Sequence, residues 1–263
     1  MDKLTPENLR EIFIKLQDGN LDAVLVGGQA VNLSAYQYYQ KFPQLFKYLP
    51  FASEDLDFYG GKLEAVMCQE ILGGKVILNR DFDPSPNAGI VLVDYQNKTL
   101  RIDFLASVYG LNDAEITATA LTFLGQNQLE SIKLKVLHPI LCLEGKLRCL
   151  RGLPQQKRQD IKHSKILIIY VHQFLTEFIR ENHPRTSLKL IERVLELGIR
   201  EDGLSAWYHH KIDIQDAIPL EEIANNSDEK FDKFRQILYP KVQEQIQIER
   251  SRYQQIMNRY PTP

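Results

Sequence analysis

Apolar residues recur at helical spacing near the start of the chain, at Leu9, Ile12, Phe13 and Leu16, behind Thr5-Pro6, so residues 5–16 are expected as a helix. An apolar run over 23–26 then reads as a strand ending in Gly27-Gly28, with a helix over 29–39. Period-two alternation and turn residues place further strands at 55–59, 75–78, 89–94 and 99–106, with a helix over 62–71. Residues 83–87 and 96–98 read as turns. Ile132, Leu134 and Val136 alternate with Lys133 and Lys135, the pattern of a half-exposed strand. After His138 the texture turns helical, over 139–150, 156–181 and 184–197. Gly198, Gly203 and Pro219 mark a loop-rich interval, and residues 229–260 read as a long helix interrupted near Pro240. The pattern is that of an α/β (α+β) chain. A mixed sheet flanked by helices over 1–137 precedes a helical domain over 138–263, and the two lobes are expected to pack around a shared cleft.

Candidate chemistry enters with three acids. Asp55 and Asp57, one residue apart on a strand, share a face. Asp103, between Ile102 and Phe104, can join them from a neighbouring strand; its rivals are Asp94 at a strand end and Asp81 or Asp83 in a turn. Three converging carboxylates repel one another unless a cation neutralises them, and their oxygens suit Mg²⁺, or Mn²⁺ in its place. Gly27 and Gly28 at the strand-to-helix turn allow close backbone approach, and the free N–H groups of the helix start form a phosphate cradle. Glycines and acids together imply phosphoryl-type chemistry. Taken singly, a Gly-Gly is more often a tight turn and an Asp-x-Asp a solvated pair.

The segments Val26-Gly27-Gly28-Gln29-Ala30-Val31, Ser53-Glu54-Asp55-Leu56-Asp57-Phe58 and Arg101-Ile102-Asp103-Phe104 resemble the nucleotidyltransferase fold of the polymerase-beta superfamily. Within it the chain resembles the AbiEii-type nucleotidyltransferase toxins, whose later lysine and Lys/Arg-x-Asp helices match His138-Pro139 to Lys146 and Lys157-Arg158-Gln159-Asp160. The resemblance covers about residues 20 to 175 and implies NMP transfer from an NTP. The implied acceptor is RNA, tRNA above all, with a cognate antitoxin as partner. Two departures bear on the acceptor. The interval from Gly28 to Asp55 is longer than the family's, and its extra segment, 34–50, is rich in Tyr and Phe. That segment either stacks a base or, the favoured expectation, extends the helix and packs on the core. Pro50-Phe51-Ala52 stands where the family often has an arginine.

Roles follow from these matches. Asp55 and Asp57 would hold the metal, and Asp103 would bridge it or act as base toward the incoming hydroxyl. Ser53 would donate its hydroxyl to a phosphate or serve as a turn residue. Lys146, set among Leu141, Leu143, Leu147 and Leu150, needs an anion and is assigned to the β- or γ-phosphate; the alternative is a snorkelling surface lysine. Asp160, in the nucleotide-binding set, is expected to orient Lys146 or Lys157 by ion pairing, and His163 to be a structural hydrogen-bonding residue.

Charge changes the picture at one place. The net charge is −2, yet residues 131–165 hold nine basic side chains against Glu144 and Asp160. Such a stretch is a footprint for triphosphate and nucleic acid, or a solvated helix face. Cys68, Cys142 and Cys149 form no zinc spacing and read as reduced thiols of a cytoplasmic protein. The first residues carry no apolar signal region, and the apolar stretch 166–171 is too short to cross a bilayer, so no membrane partner is expected. Three function classes remain: transfer to RNA, transfer to a small molecule or protein, and a catalytically silent nucleotide-binding member. The intact acids argue against the last.

Overall fold

A computed structural model describes residues 3–80, 84–181 and 183–260. The chain divides into two compact units, Met1–Gly145 and Lys146–Pro263. The first holds strands β1 (Val24–Val26), β2 (Leu56–Tyr59), β3 (Lys75–Leu78), β4 (Asn87–Tyr95), β5 (Lys98–Leu105), β6 (Leu121–Leu124) and β7 (Lys133–Val136). Its helices are α1 (Arg10–Asp18), α2 (Gly27–Tyr38), α3 (Lys62–Leu72) and α4 (Asp113–Thr119). The strands form one seven-stranded mixed sheet in the order β3-β4-β5-β2-β1-β7-β6, with β2 parallel to β5 and β1 parallel to β7. This is the expected fold class: a mixed sheet with helices, followed by a helical region.

Alternation decides which side of the central strands is apolar. Leu56 and Phe58 of β2 lie in register with Ile102 and Phe104 of β5. All four are buried, and the Phe58 and Phe104 rings stack with centroids 5.7 Å apart. Burying such side chains contributes roughly 1.5–3 kcal/mol each. Residues 57 and 103 are therefore turned to the other face. Ile102 and Phe104 flank Asp103 in sequence but lie behind it, in the core.

Helix α5 (Pro139–Gly152) runs across the boundary between the units. The second unit continues with α6 (Asp160–Glu181), α7 (Pro184–Ile199), α8 (Glu201–His210), α9 (Leu220–Asn225), α10 (Glu229–Lys233) and α11 (Tyr239–Arg259). Ile166, Leu167, Val171, Leu175 and Ile179 bury one face of α6, and Ile191, Val194 and Leu195 one face of α7. No helix of the described residues is long and apolar enough to cross a membrane.

Two expectations need correction, and a third, the interruption of the last helix near Pro240, is met. The interval around Gly198 and Gly203 is helical: a Cβ on Gly203 would lie 1.9 Å from the Leu197 carbonyl oxygen, so this glycine permits tight packing where α8 folds back on α7. The last helix is interrupted just ahead of Pro240, by a π-turn over Phe234–Leu238. Proline lacks the N–H for an i→i−4 bond, so a widened turn before it relieves the mismatch. The aromatic segment does not extend α2, which ends at Tyr38. Pro43 opens a separate 3₁₀ helix, Pro43–Tyr48, whose Leu45 is buried. Tyr39 meets both Phe46 and Phe51 edge-on, so part of the segment does pack inward.

Candidate active site

Strand β1 delivers the chain to Gly27, whose φ of +67° a residue with a side chain rarely adopts. A Cβ there would lie 2.1 Å from Asp57 Oδ2, so the glycine also makes room for that carboxylate. Helix α2 starts at once, with Gly28 buried in its first turn and no side chain capping it. Its first N–H groups thus keep the capacity to meet an anion. Replacing Gly27 by Ala is expected to cost on the order of 1–3 kcal/mol through backbone strain alone. It should also push the Asp57 carboxylate aside. A thermal melt of Gly27→Ala that overlays the wild type would remove this reading.

Asp57 and Asp103 share one face of the sheet, and Asp55 lies just ahead of β2, which starts one residue later than expected. Asp57 lies beside Val26 of β1 and in register with Asp103 of β5, and Asp55 precedes Asp57 by two positions. Asp103 is buried, Asp57 half-buried and Asp55 exposed at the edge. The Asp55 carboxyl is raised above the ordinary range, first by partial loss of water and then by the negative charge of Asp103, with Arg101 pulling the other way. The acids therefore feel one another.

Arg101, two residues before Asp103 on the same face, grips it through two nitrogens. Its Nε lies 2.9 Å from Oδ2 and its second terminal nitrogen 2.9 Å from Oδ1. Asn87 of β4 adds a donor 3.1 Å from Oδ1. The guanidinium is held charged chiefly by its hydrogen bonds to Asp103, against some loss of water, and by the charges of Asp103, Asp55 and Asp57. It supplies the positive charge that the three acids require. Neither Arg101 nor Asn87 was assigned a role from sequence, although an arginine at i−2 on a strand faces the same way as the aspartate.

Among the described residues no three His, Cys, Asp or Glu side chains are already gathered around a metal-sized point. The donors available here are nevertheless all carboxylate oxygens, the set a hard divalent cation takes. Of the rivals, Asp94 is exposed at the hairpin end of β4, opposite Thr99, while Asp81 and Asp83 lie outside the described residues.

The second unit holds Lys146 and Asp160. Lys146 Nζ is 2.8 Å from Asp160 Oδ1, and Arg158 Nε is 2.5 Å from Asp160 Oδ2. Asp160 is thus paired with Lys146, one of its two expected partners, and also with Arg158. Burial pushes the Asp160 carboxyl up, but Lys146 and Arg158 outweigh it and hold the group below the ordinary carboxylate range. Lys146 meets its counter-ion within its own unit, and Asp160 has both oxygens committed to cations. His163 is buried on the same helix. The backbone of Ser53 pairs with that of Leu4 in an isolated bridge.

Ion pairs thin the basic stretch. Of its nine cations, Lys135 pairs with Asp22, Lys146 and Arg158 with Asp160, Arg148 with Asp202, and Arg151 with Glu201. Cys68 and Cys142 are buried and Cys149 half-buried, all as free thiols, and burial pushes Cys68 up to about 12.

No family model and no curated protein matches this sequence. A search of solved structures found similarity to the crystal structure of JHP933 from Helicobacter pylori. The identity is 14%, the match covers 96% of this chain and 93% of that one, and the TM-score is 0.35. Likeness at that level transfers neither a fold nor a function.

Proposed function

We propose that this protein transfers a nucleoside monophosphate from an NTP to an acceptor hydroxyl, with pyrophosphate leaving. The observation that carries the reading is the juxtaposition of Asp57 and Asp103, in register on adjacent parallel strands, with a glycine at positive φ and an uncapped helix start against Asp57. Asp55, Asp57 and Asp103 are the residues that would hold Mg²⁺ or Mn²⁺; such an ion supplies charge to the triphosphate and lowers the pKa of an attacking hydroxyl. The first turn of α2 receives phosphate oxygens through its N–H groups. Arg101, which holds Asp103 here, has a planar fork that would also suit a phosphate. The phosphate role of Lys146 and Asp160 rests on the resemblance of the motifs alone; in the structure the two residues pair with each other. RNA is the proposed acceptor and a toxin–antitoxin or phage-defence setting the proposed context, both resting on the resemblance of the motifs.

One observation favours a second reading. Three of the nine cations in the 131–165 stretch, Lys146, Arg148 and Arg158, are held on the buried carboxylates of Asp160 and Asp202, which leaves a smaller footprint for a nucleic-acid backbone. A small molecule or a protein is the acceptor in that case. The deciding experiment incubates the purified protein with each α-labelled NTP, Mg²⁺ and total RNA, then separately without RNA. Label in RNA supports the first reading; label only on protein or a small acceptor supports the second. If no label is transferred with any NTP and acceptor, the enzymatic reading falls.

A further inference from the structure

The second unit carries a groove of about 430 Å³ between α7 and the segment that joins α10 to α11. Its size is within the range of ligand sites. Two helical stripes build it. Residues 185, 188, 189 and 192 follow one another at i, i+3, i+4 and i+7 along α7, and 230, 233, 234, 237 and 238 repeat that spacing on the other side. Leu188, Phe234, Ile237 and Leu238 make the floor, and Ile237 is 54% exposed. A half-exposed isoleucine on an apolar floor has lost contacts that a partner would restore.

The rim is predominantly cationic. Arg185 and Lys189 line one side, Lys230 and Lys233 the other, against the single acid Glu192. Among the described residues no ion pair engages Arg185, Lys189 or Lys230. Lys233 pairs with Glu229, but both side chains are well exposed, and a pair of that kind is readily exchanged. The π-turn sets the second stripe.

We infer that this groove receives an acidic amphipathic helix of a partner protein, apolar side chains on the Leu188–Ile237 floor and carboxylates on the four cations. Two parallel apolar stripes with charged edges are the complement of a helix laid in a groove. Residues 185 to 192 span roughly 10 Å of helix axis, room for about two turns of an occupant. The floor does not suit a nucleobase, because Phe234 is only 3% exposed and offers no ring face for stacking. This inference is independent of the chemistry proposed for the aspartate site.

The test uses the full chain and a fluorescein-labelled, helix-forming peptide of about 16 residues, with leucines on one stripe and glutamates beside it. Fluorescence anisotropy at low salt should show saturable binding that weakens as salt rises. Ile237→Asp, and separately Lys189→Glu with Lys233→Glu, should each weaken binding at least tenfold. All three positions are exposed, so melting curves of these variants should match the wild type and exclude unfolding as the cause. A peptide with lysines in place of the glutamates should not bind.

Four results would overturn the inference. One is no binding of the acidic peptide to the wild type, and another is binding that both variants leave unchanged. The third is a labelled RNA or an anionic vesicle that binds in place of the peptide and is lost in the lysine variant. The last is a dimer in sedimentation that dissociates with Ile237→Asp, which would give the groove to a second copy of this chain.

Discussion

Asp57→Asn is expected to abolish nucleotide transfer while leaving the fold intact. The side chain is half-buried on the polar face of β2, and the substitution keeps its shape while removing its charge. A carboxylate that helps hold a catalytic ion is worth several kcal/mol in the transition state. That corresponds to a loss on the order of 1000-fold. The stability effect should be opposite for Asp55→Asn. The Asp55 carboxyl is raised by loss of water and by Asp103, so its ionised form works against the metal-free fold. A group whose folded pKa is raised lowers stability as pH climbs through the interval between its unfolded and folded values. Asp55→Asn should therefore melt slightly higher than the wild type in chelator near neutral pH, and added Mg²⁺ should stabilise it less than the wild type. Transfer at wild-type rates by the double variant, Asp55→Asn with Asp57→Asn, would end the assignment.

The largest loss of stability is expected from Asp160→Asn. Its carboxylate is 2% exposed and Lys146 13%, so removing the acid leaves a largely buried ammonium without its charge partner. Breaking a buried pair from one side typically costs about 3–5 kcal/mol. For a chain of this size that is a fall in melting temperature on the order of 10 °C. The Arg158 side chain is 39% exposed, and its share of the loss is correspondingly screened. Adding Lys146→Met to Asp160→Asn should recover much of the loss, because the stranded charge goes with it. The pH dependence has a definite sign. Asp160 is held below the ordinary carboxylate range, so its contribution is complete above the unfolded value near 3.9 and is lost as pH falls through the lower folded value. Acid melts of the wild type should show this slope and those of Asp160→Asn should lack it. Equal stability of the two proteins at pH 7 would mean that the pair is not maintained in solution.

Much of this was legible in the sequence because period two is a strong signal. Strand β3 lies where it was expected, β2 and β5 fall within a residue or so of their expected ends, and the shared face of Asp57 and Asp103 follows from pairing those strands in register. What was not legible depends on partners. Arg101 stood two positions from Asp103 in plain view, but its choice of that carboxylate over water is a tertiary outcome. Asp160 was expected beside Lys146 or Lys157, and the structure chose Lys146 with Arg158; Lys157 has left-handed backbone at φ +67°. Helix α8 was hidden because Gly203 reads locally as a breaker while packing demands it. The stretch holding α4 and β6 has no long periodicity, so these short elements gave no expectation.

The parallel pairing of β2 with β5 has a consequence for how the site comes into being. Asp57 and Asp103 belong to strands separated by α3 and the β3–β4 pair, so they meet only when a non-local contact closes. Arg101, by contrast, is two residues from Asp103 and accompanies it from the moment β5 is extended. The guanidinium can therefore screen the acid before its like-charged neighbour arrives.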